Sequence, residues 1–146
     1  MDIKNLVNEN TIFFIDEKNK FKVIENLIEK GVLLNKIEDK PEFKRAIESR
    51  EQLMSTGIGL GIAIPHAKIE HQKDFFVITG ILKNNVEWDS IDHKPVRLVF
   101  LIGGPANDQN QYLKILSKLI LTVKDNAKRE KMLKSDHVDL IATLFT

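Results

Sequence analysis

One histidine of the sequence occupies a position where functional groups are common. His66 follows Pro65 at the end of a segment, Gly57 to Ala67, in which branched apolar residues alternate with small ones. The period of two predicts a strand, and the carboxyl ends of strands in α/β sheets are where sites tend to lie. An imidazole titrates near neutral pH and suits proton or group transfer. A core or edge histidine with both ring nitrogens satisfied is an equal alternative.

An arginine is predicted on the apolar side of a helix. Arg50 lies in the middle of a stripe of apolar residues: Phe43, Ala46, Ile47, Leu53 and Met54. Because a guanidinium cannot lose its proton, its burial requires an anion. A structural carboxylate, contact with solvent at the tip of the side chain or a bound phosphate would each meet this need. A structural ion pair is the default expectation.

A glycine-rich stretch, GIGLG, runs from Gly57 to Gly61. Its glycines allow positive φ angles and close approach of the backbone. No GK[ST] follows, so it is not a Walker A loop, and the glycines precede the strand, unlike a dinucleotide fingerprint. A tight packed turn is favoured over a phosphate cradle.

The other polar residues carry weaker signals. His71, His93 and His137 lie in polar surroundings and are expected at the surface, and Asp89 and Asp92 are expected to be turn residues. The sequence lacks cysteine and an HExxH motif, and the carboxylates near His66 do not have ligand spacing. We therefore expect no metal site and no cofactor.

Hydrophobic periodicity predicts the helices that must position these residues. Gly31 is the expected stop of the first helix, and Asp125 and Ser135 are expected N-caps. The predicted helices are Lys20 to Lys30, Pro41 to Ser55, Gln109 to Val123, Asp125 to Leu133 and Ser135 to Leu144.

Apolar runs predict the strands. Ile12 to Ile15 is a strand or a packed loop, and Gly57 to Gly61 is a flexible entry to the strand that ends at His66. Further strands are Phe75 to Leu82, closed by a turn at Asn84-Asn85 before a brief pairing of Val86 to Trp88, and Arg97 to Ile102, stopped by Gly103-Gly104-Pro105. This order predicts a single α/β domain over residues 1–146, with a mixed parallel and antiparallel sheet and helices on both faces. An α+β arrangement with one face covered is the alternative.

Composition sets the outer limits. The chain has 146 residues, with 42% apolar and 29% charged, which is ordinary for one globular domain. Its 22 Lys and Arg against 21 Asp and Glu argue against a nucleic-acid partner. Apolar runs are too short to span a bilayer, and the N-terminus lacks a signal peptide. We expect a soluble cytoplasmic protein without direct membrane insertion.

The segment RAIESREQLMSTGIGLGIAIPHAK, from Arg45 to Lys68, resembles the active-site segment of enzyme IIA domains of the fructose/mannitol class in the bacterial phosphoenolpyruvate-dependent phosphotransferase system. The nitrogen-related IIA proteins share this segment. The resemblance continues through WDSIDHKPVRLVFLIGGP, from Trp88 to Pro105, and into the helix that follows. It implies a mixed sheet between helical layers.

The resemblance also implies a chemistry. The histidine matching His66 accepts a phosphoryl group from the phosphohistidine of HPr, or an HPr-like carrier, and passes it to a IIB domain or keeps it as a regulatory mark. The arginine matching Arg50 lies beside the phosphate, where its fork suits two phosphate oxygens. The second imidazole nitrogen should donate to a carbonyl or carboxylate, which fixes the tautomer. Ile62 and Ile64 would limit access of water.

One departure stands out. Family members usually carry a second histidine at the start of the helix after the third strand, and here that position is Tyr112. A phenol can donate a hydrogen bond to a phosphate oxygen, but it brings no positive charge near neutral pH. Slower transfer or a regulatory role would follow, unless Tyr112 is simply the first core residue of its helix.

Three hypotheses follow in order of preference. The first is a sugar-transport phosphoryl carrier, and the second is a regulatory protein whose phosphorylation state controls binding to a target protein. The third is an unphosphorylated protein that only keeps the fold.

Overall fold

The apolar runs of the sequence assemble into a six-stranded mixed sheet. The computed structural model describes residues 2–146, and the strands that it contains there are β1 (Ile12–Ile15), β2 (Gly57–Gly59), β3 (Ile62–Ala63), β4 (His66–Ile69), β5 (Phe76–Val86) and β6 (Val96–Pro105). The order is β1-β5-β6-β3-β2, with β4 also beside β6. β5 and β6 are antiparallel, whereas β1 is parallel to β5 and both β3 and β4 are parallel to β6.

The helices begin at polar caps that the sequence provides. They are α1 (Lys20–Leu33), α2 (Lys40–Leu53), α3 (Gln109–Val123), α4 (Asn126–Lys134) and α5 (Val138–Ala142), and a single 3-10 turn (Ile3–Asn5) precedes β1. Asn19, Asp39, Asp108 and Asp125 each accept a backbone N–H of the following first turn. The predicted span of α3 and the cap at Asp125 are confirmed.

Helices cover both faces of the sheet. α1 and α2 pack on one face around Leu27, Phe43 and Ala63. α3, α4 and α5 cover the other face, where Ile64 and Ile115 lie in the core. The predicted α/β class with a mixed sheet is confirmed, and the one-sided alternative is wrong.

β3 and β4 form one interrupted strand along β6. Ile62 pairs with Leu98 and His66 pairs with Ile102, which is the same offset on both sides of the interruption. Pro65 has no N–H to donate, but its carbonyl accepts the N–H of Ile102 at 2.9 Å. His66 therefore begins β4, and the prediction that it ends a strand is wrong.

The glycine-rich stretch is a hairpin. β2 and β3 pair antiparallel. Gly59 at the end of β2, and Leu60 and Gly61 between the strands, have φ angles of 96°, 59° and 75°. Glycine tolerates this left-handed conformation, which explains its spacing here. The stretch is the tight turn favoured above, but it does not serve as a flexible entry to one strand.

Three predicted stops do not end their elements. α1 runs past Gly31 to Leu33, because the chain turns only at Asn35, whose φ is 58°. β5 continues through Asn84-Asn85, and the Asn84 side chain donates to Asp16 at 2.9 Å. Val86 then pairs with Val96, as predicted.

β6 likewise continues through Gly103 and Gly104 to Pro105. A Cβ atom at these glycines would meet the rings of Phe76 and Phe75 at 2.4 Å and 2.1 Å. These two positions therefore require glycine because there is no room for a side chain, and not because the chain turns there. The prediction that Ser135 is an N-cap is also wrong. Ser135 is the C-cap of α4, and α5 starts at Val138.

Candidate functional site

A cleft of about 590 Å³ opens between the end of α2, the β2–β3 hairpin, β4 and α3. Its polar side chains are those of Arg50, Ser55, Thr56, His66, Asp89 and Tyr112. The structure thus brings together all three residues singled out from the sequence, although they are up to 62 positions apart. Apolar side chains, among them Ile58, Ile91 and Ile120, complete the lining.

The backbone fixes the tautomer of His66. Nδ1 lies 2.8 Å from the carbonyl oxygen of Ile64. Because a carbonyl only accepts, Nδ1 carries the proton and Nε2 keeps an unshared electron pair. The ring lies on the same side of the sheet as Ile64. Both Ile62 and Ile64 are buried, but Ile64 lines the cleft and Ile62 does not. His66 is therefore a half-buried neutral imidazole with a nucleophilic Nε2.

The surroundings of His66 favour this neutral form. Burial lowers the pKa of His66 below its ordinary value of 6.5, and the positive charges of Arg50 and Lys68 lower it further. The Ile64 carbonyl and the Glu51 carboxylate act in the opposite direction. Since burial is the largest cause, the imidazole is unprotonated at pH 7.

Arg50 lies in the last turn of α2, at the mouth of the cleft. Its Nη1 donates to the carbonyl of Met54 at 2.7 Å, which caps the end of its own helix. The predicted apolar stripe is wrong in part, since Leu53 and Met54 are 83% and 69% exposed. Arg50 is half-buried, with N–H groups beyond the capped one available to an anion.

The charged residue that α2 buries is Glu51, which sequence reasoning missed. Phe43, Ile47 and Glu51 recur every four residues and form the buried face of α2. The Glu51 carboxylate pairs with Lys20 at 2.8 Å and accepts from the backbone N–H of Thr56 at 2.8 Å. The i, i+4 spacing from Phe43 was the signal that could have found it.

This carboxylate anchors one side of the cleft through Thr56 and Trp88. The Thr56 hydroxyl donates to Glu51 and accepts from Trp88 Nε1 at 3.2 Å. The Trp88 carbonyl accepts from Ser55 Oγ at 2.7 Å and from Lys20 Nζ at 3.0 Å. Trp88 itself is fully buried, so the chain from Ser55 to Gly57 is held against a fixed interior.

Tyr112 occupies the opposite side, in the first turn of α3. Its ring centroid is 5.3 Å from that of His66, at an interplanar angle of 42°. Burial raises the pKa of Tyr112 to about 12, while Arg50 acts against this rise. The hydroxyl therefore stays protonated near neutral pH and is a neutral donor.

The remaining predicted polar residues separate into two groups. Asp89 lines the cleft, and Asp92 accepts from the backbone N–H groups of Leu60 and Lys94, both at 3.1 Å. His71, His93 and His137 are exposed, as expected. Across residues 2–146, no group of three or more His, Asp or Glu side chains is arranged to hold a metal ion. Within the same range, no helix is both long and apolar enough to cross a bilayer.

A protein-family model matches residues 5–146 of the chain. It is described as "Phosphoenolpyruvate-dependent sugar phosphotransferase system, EIIA 2". The chain with this α/β fold and histidine cleft therefore belongs to the EIIA family. The resemblance drawn from Arg45 to Lys68 is confirmed at the level of the family.

Proteins similar to this chain include fructose-specific components and nitrogen regulatory proteins. The chain is 34% identical over 142 residues to the "PTS system fructose-specific EIIABC component" of Bacillus subtilis, covering 97% of this chain and 22% of that protein. This chain thus spans about a fifth of the length of that relative.

Solved structures support the same family and fold. The nitrogen regulatory protein IIA-Ntr of Neisseria meningitidis superposes with a TM-score of 0.86 at 26% identity, covering 99% of both chains. Mannitol IIA of Escherichia coli, in a complex with phosphorylated IIB, superposes with a TM-score of 0.78 at 23% identity, covering 93% of this chain and 94% of that one. This last likeness supports the fold alone.

Proposed function

We propose that this protein is a phosphoryl carrier in which His66 accepts a phosphoryl group from an HPr-like phosphocarrier and passes it to a IIB domain. The observation that supports it most directly is the hydrogen bond from Nδ1 to the Ile64 carbonyl, which leaves Nε2 as the nucleophile inside a shared cleft. Membership of the EIIA family supports the phosphoryl chemistry.

The transfer balances without a cofactor. The lone pair of His66 Nε2 attacks phosphorus, and the N–P bond of the donor phosphohistidine breaks, returning its electron pair to the donor imidazole. His66 keeps the proton on Nδ1, and the phosphoryl group arrives with its negative charges. Onward transfer to IIB reverses the roles. Positioning and charge neutralisation are what the protein must supply.

Arg50 neutralises charge on the phosphoryl oxygens, and Tyr112 adds a hydrogen bond. The Arg50 guanidinium stays charged and can bind two oxygens with the N–H groups that Met54 does not use. The Tyr112 hydroxyl adds a neutral donor from α3. Ile64 and the neighbouring apolar lining limit access of water to the N–P bond.

Incubation with phosphoenolpyruvate, enzyme I and HPr tests the proposal. We expect one acid-labile phosphate on the wild type and none on His66→Ala, since only Nε2 of His66 is arranged as the acceptor. His71→Ala is the matched control, because His71 is exposed and outside the cleft, and it should label fully. Full labelling of His66→Ala, or none of the wild type, would refute the carrier role, and the second result would favour a protein that only keeps the fold.

A regulatory role is the second candidate, supported by Tyr112 and by the likeness to the Neisseria IIA-Ntr protein. A neutral phenol beside His66 brings no positive charge to the transferring phosphoryl group, so transfer should be slower than with a cation there. Slow transfer suits a phosphate that is held rather than relayed. Addition of purified IIB domains to the labelled protein separates the two roles. Rapid loss of phosphate to a IIB indicates transport, whereas retention together with phosphate-dependent binding of another protein indicates regulation.

A further inference from the structure

A lysine outside the lining of the cleft lies close to His66. Lys68 follows His66 by two residues in β4, so both side chains leave the same face of the sheet. Lys68 Nζ lies 5.0 Å from the centroid of the Tyr112 ring and donates a hydrogen bond to the Gln109 side chain. Together with the 5.3 Å between the Tyr112 and His66 rings, this places the ammonium within about 10 Å of the imidazole.

The charged and titratable groups around His66 come from α2, the segment between β5 and β6, β4 and α3: Arg50, Glu51, Asp89, Lys68 and Tyr112. Glu51 is paired with Lys20 at 2.8 Å and is fully buried. Tyr112 is neutral, because burial raises its pKa to about 12. Arg50 and Lys68 are therefore the cations near the imidazole, and the first already donates one N–H to a backbone carbonyl.

A phosphoryl group adds up to two negative charges, which is more than the single charge of Arg50 balances. The Lys68 side chain is exposed, and its flexible stem carries three donors. An aromatic face and an amide oxygen hold the ammonium beside the site without neutralising it. A cation kept ready in this way can move toward a new anion without breaking an ion pair.

We propose that Lys68 is the second cationic residue of the phosphoryl site, an inference that rests on the proposed function. Lys68 neutralises the phosphoryl group on His66 together with Arg50. Tyr112 serves as the platform that keeps the ammonium within reach. Removal of the Lys68 charge then weakens phosphorylation without altering the fold, because the side chain lies at the surface.

Potassium phosphoramidate, a small phosphoryl donor, tests this role without a protein partner. Its P–N bond breaks as His66 Nε2 attacks phosphorus, and ammonia leaves with a proton taken from the donor or water. The rate constant for phosphorylation is measured by NMR at low ionic strength for the wild type, Lys68→Gln, Lys68→Arg and Lys114→Gln. Lys114→Gln removes the same charge from an exposed position on α3 and is the matched control.

We expect Lys68→Gln to lower the rate constant by about 2- to 15-fold. Coulomb's law gives this range for a pair of opposite unit charges about 10 Å apart. The lower value applies with the dielectric constant of water and the upper value with that of a protein surface. The deficit should shrink as salt is added. Lys68→Arg should stay near the wild type, and Lys114→Gln should match it.

A second readout is the pKa of the His66 imidazole in the unphosphorylated protein, followed by its ring C–H resonances. Lys68→Gln should raise that pKa toward 6.5, because the Lys68 charge lowers it. Equal rates and equal pKa values in Lys68→Gln and Lys114→Gln overturn the role of Lys68 while leaving the carrier function intact. A wild type that accepts no phosphoryl group, from phosphoramidate or from HPr, overturns both.

Discussion

The two sides of the cleft are built in opposite ways. On the side that we call the Trp88 wall, Ser55 and Thr56 are tied through buried and partly buried hydrogen bonds to Glu51 and Trp88, and the Gly57 N–H donates to Ser55 Oγ. The side that we call the His66 wall consists of His66, Lys68 and Tyr112. Ring contacts, one backbone hydrogen bond of the imidazole and an exposed hydrogen bond from Lys68 to Gln109 hold these groups.

The difference indicates a division of labour. A buried polar network whose members are all paired is rigid. It is costly to disturb, because removing one member leaves its partners buried without a hydrogen bond. Groups held by ring contacts and at the surface can change charge or shift slightly at low cost. The Trp88 wall therefore sets the shape of the cleft. Under the function proposed above, the His66 wall is where charge changes on phosphorylation. Four predictions test this contrast.

The largest effect is expected on the Trp88 wall. Glu51→Ala removes the buried partner of Lys20 and of the Thr56 N–H, and it should lower the free energy of unfolding by about 3–5 kcal/mol. Urea denaturation measures the change. Glu48→Ala, on the partly exposed side of the same helix, should change it by less than about 0.5 kcal/mol. A loss from Glu51→Ala no larger than that of Glu48→Ala would contradict a rigid wall.

The packing of the same wall gives the second prediction. A Cβ atom on Gly57 would lie 2.2 Å from Ser90 Oγ and 2.9 Å from Ser90 Cβ. Gly57→Ala should therefore destabilise the protein by about 1–3 kcal/mol, the usual range for overpacking. Adding Ser90→Gly should recover part of this loss in thermal unfolding. If the two losses simply add, the two residues are not in the tight contact described here.

The hairpin that joins the two walls carries backbone strain. Leu60 has a φ of 59° and is 56% exposed, and a left-handed conformation costs a non-glycine residue roughly 1–2 kcal/mol. Asparagine tolerates it better, so Leu60→Asn should raise the free energy of unfolding by about 0.5–1 kcal/mol. Leu121→Asn, at a similarly exposed position in α3, should instead lower it by a few tenths, because asparagine is a weaker helix former. A lower free energy of unfolding for Leu60→Asn would show that the backbone at Leu60 in the β2–β3 hairpin is not strained.

The smallest effect is expected from titration of the His66 wall. The pKa of His66 is lowered in the folded protein, chiefly by burial, so the unfolded chain takes up its proton first as pH falls below 6.5. The wild type should lose stability as pH falls from 6.5 toward the lowered pKa and keep its full stability above 6.5. His66→Gln should not show this part of the loss in the free energy of unfolding at acid pH. Denaturation curves at several pH values measure the difference. Identical pH profiles would mean that folding does not perturb His66.

The sequence singled out two residues of the His66 wall, His66 and Tyr112, because their signals are local, but it did not single out Lys68. The alternation from Ile62 to His66 places both on one face of the sheet, and the apolar period of α3 places Tyr112 on its buried side. The motif around Arg50 and His66 identified the family. The Trp88 wall was largely missed, since Glu51 resembles an ordinary exposed helix residue until its partners are known.

The amino-acid sequence by itself determined the mixed α/β class, the span of α3 and the family, since periodicity and motif spacing need no partner. The tertiary structure alone decided that Glu51 is buried in place of Leu53, that β6 continues through Gly103 under an aromatic ring, and that Lys68 lies over Tyr112. These outcomes depend on residues distant in the chain. The free energy of each local choice is set by what packs against it, and no local pattern contains that information.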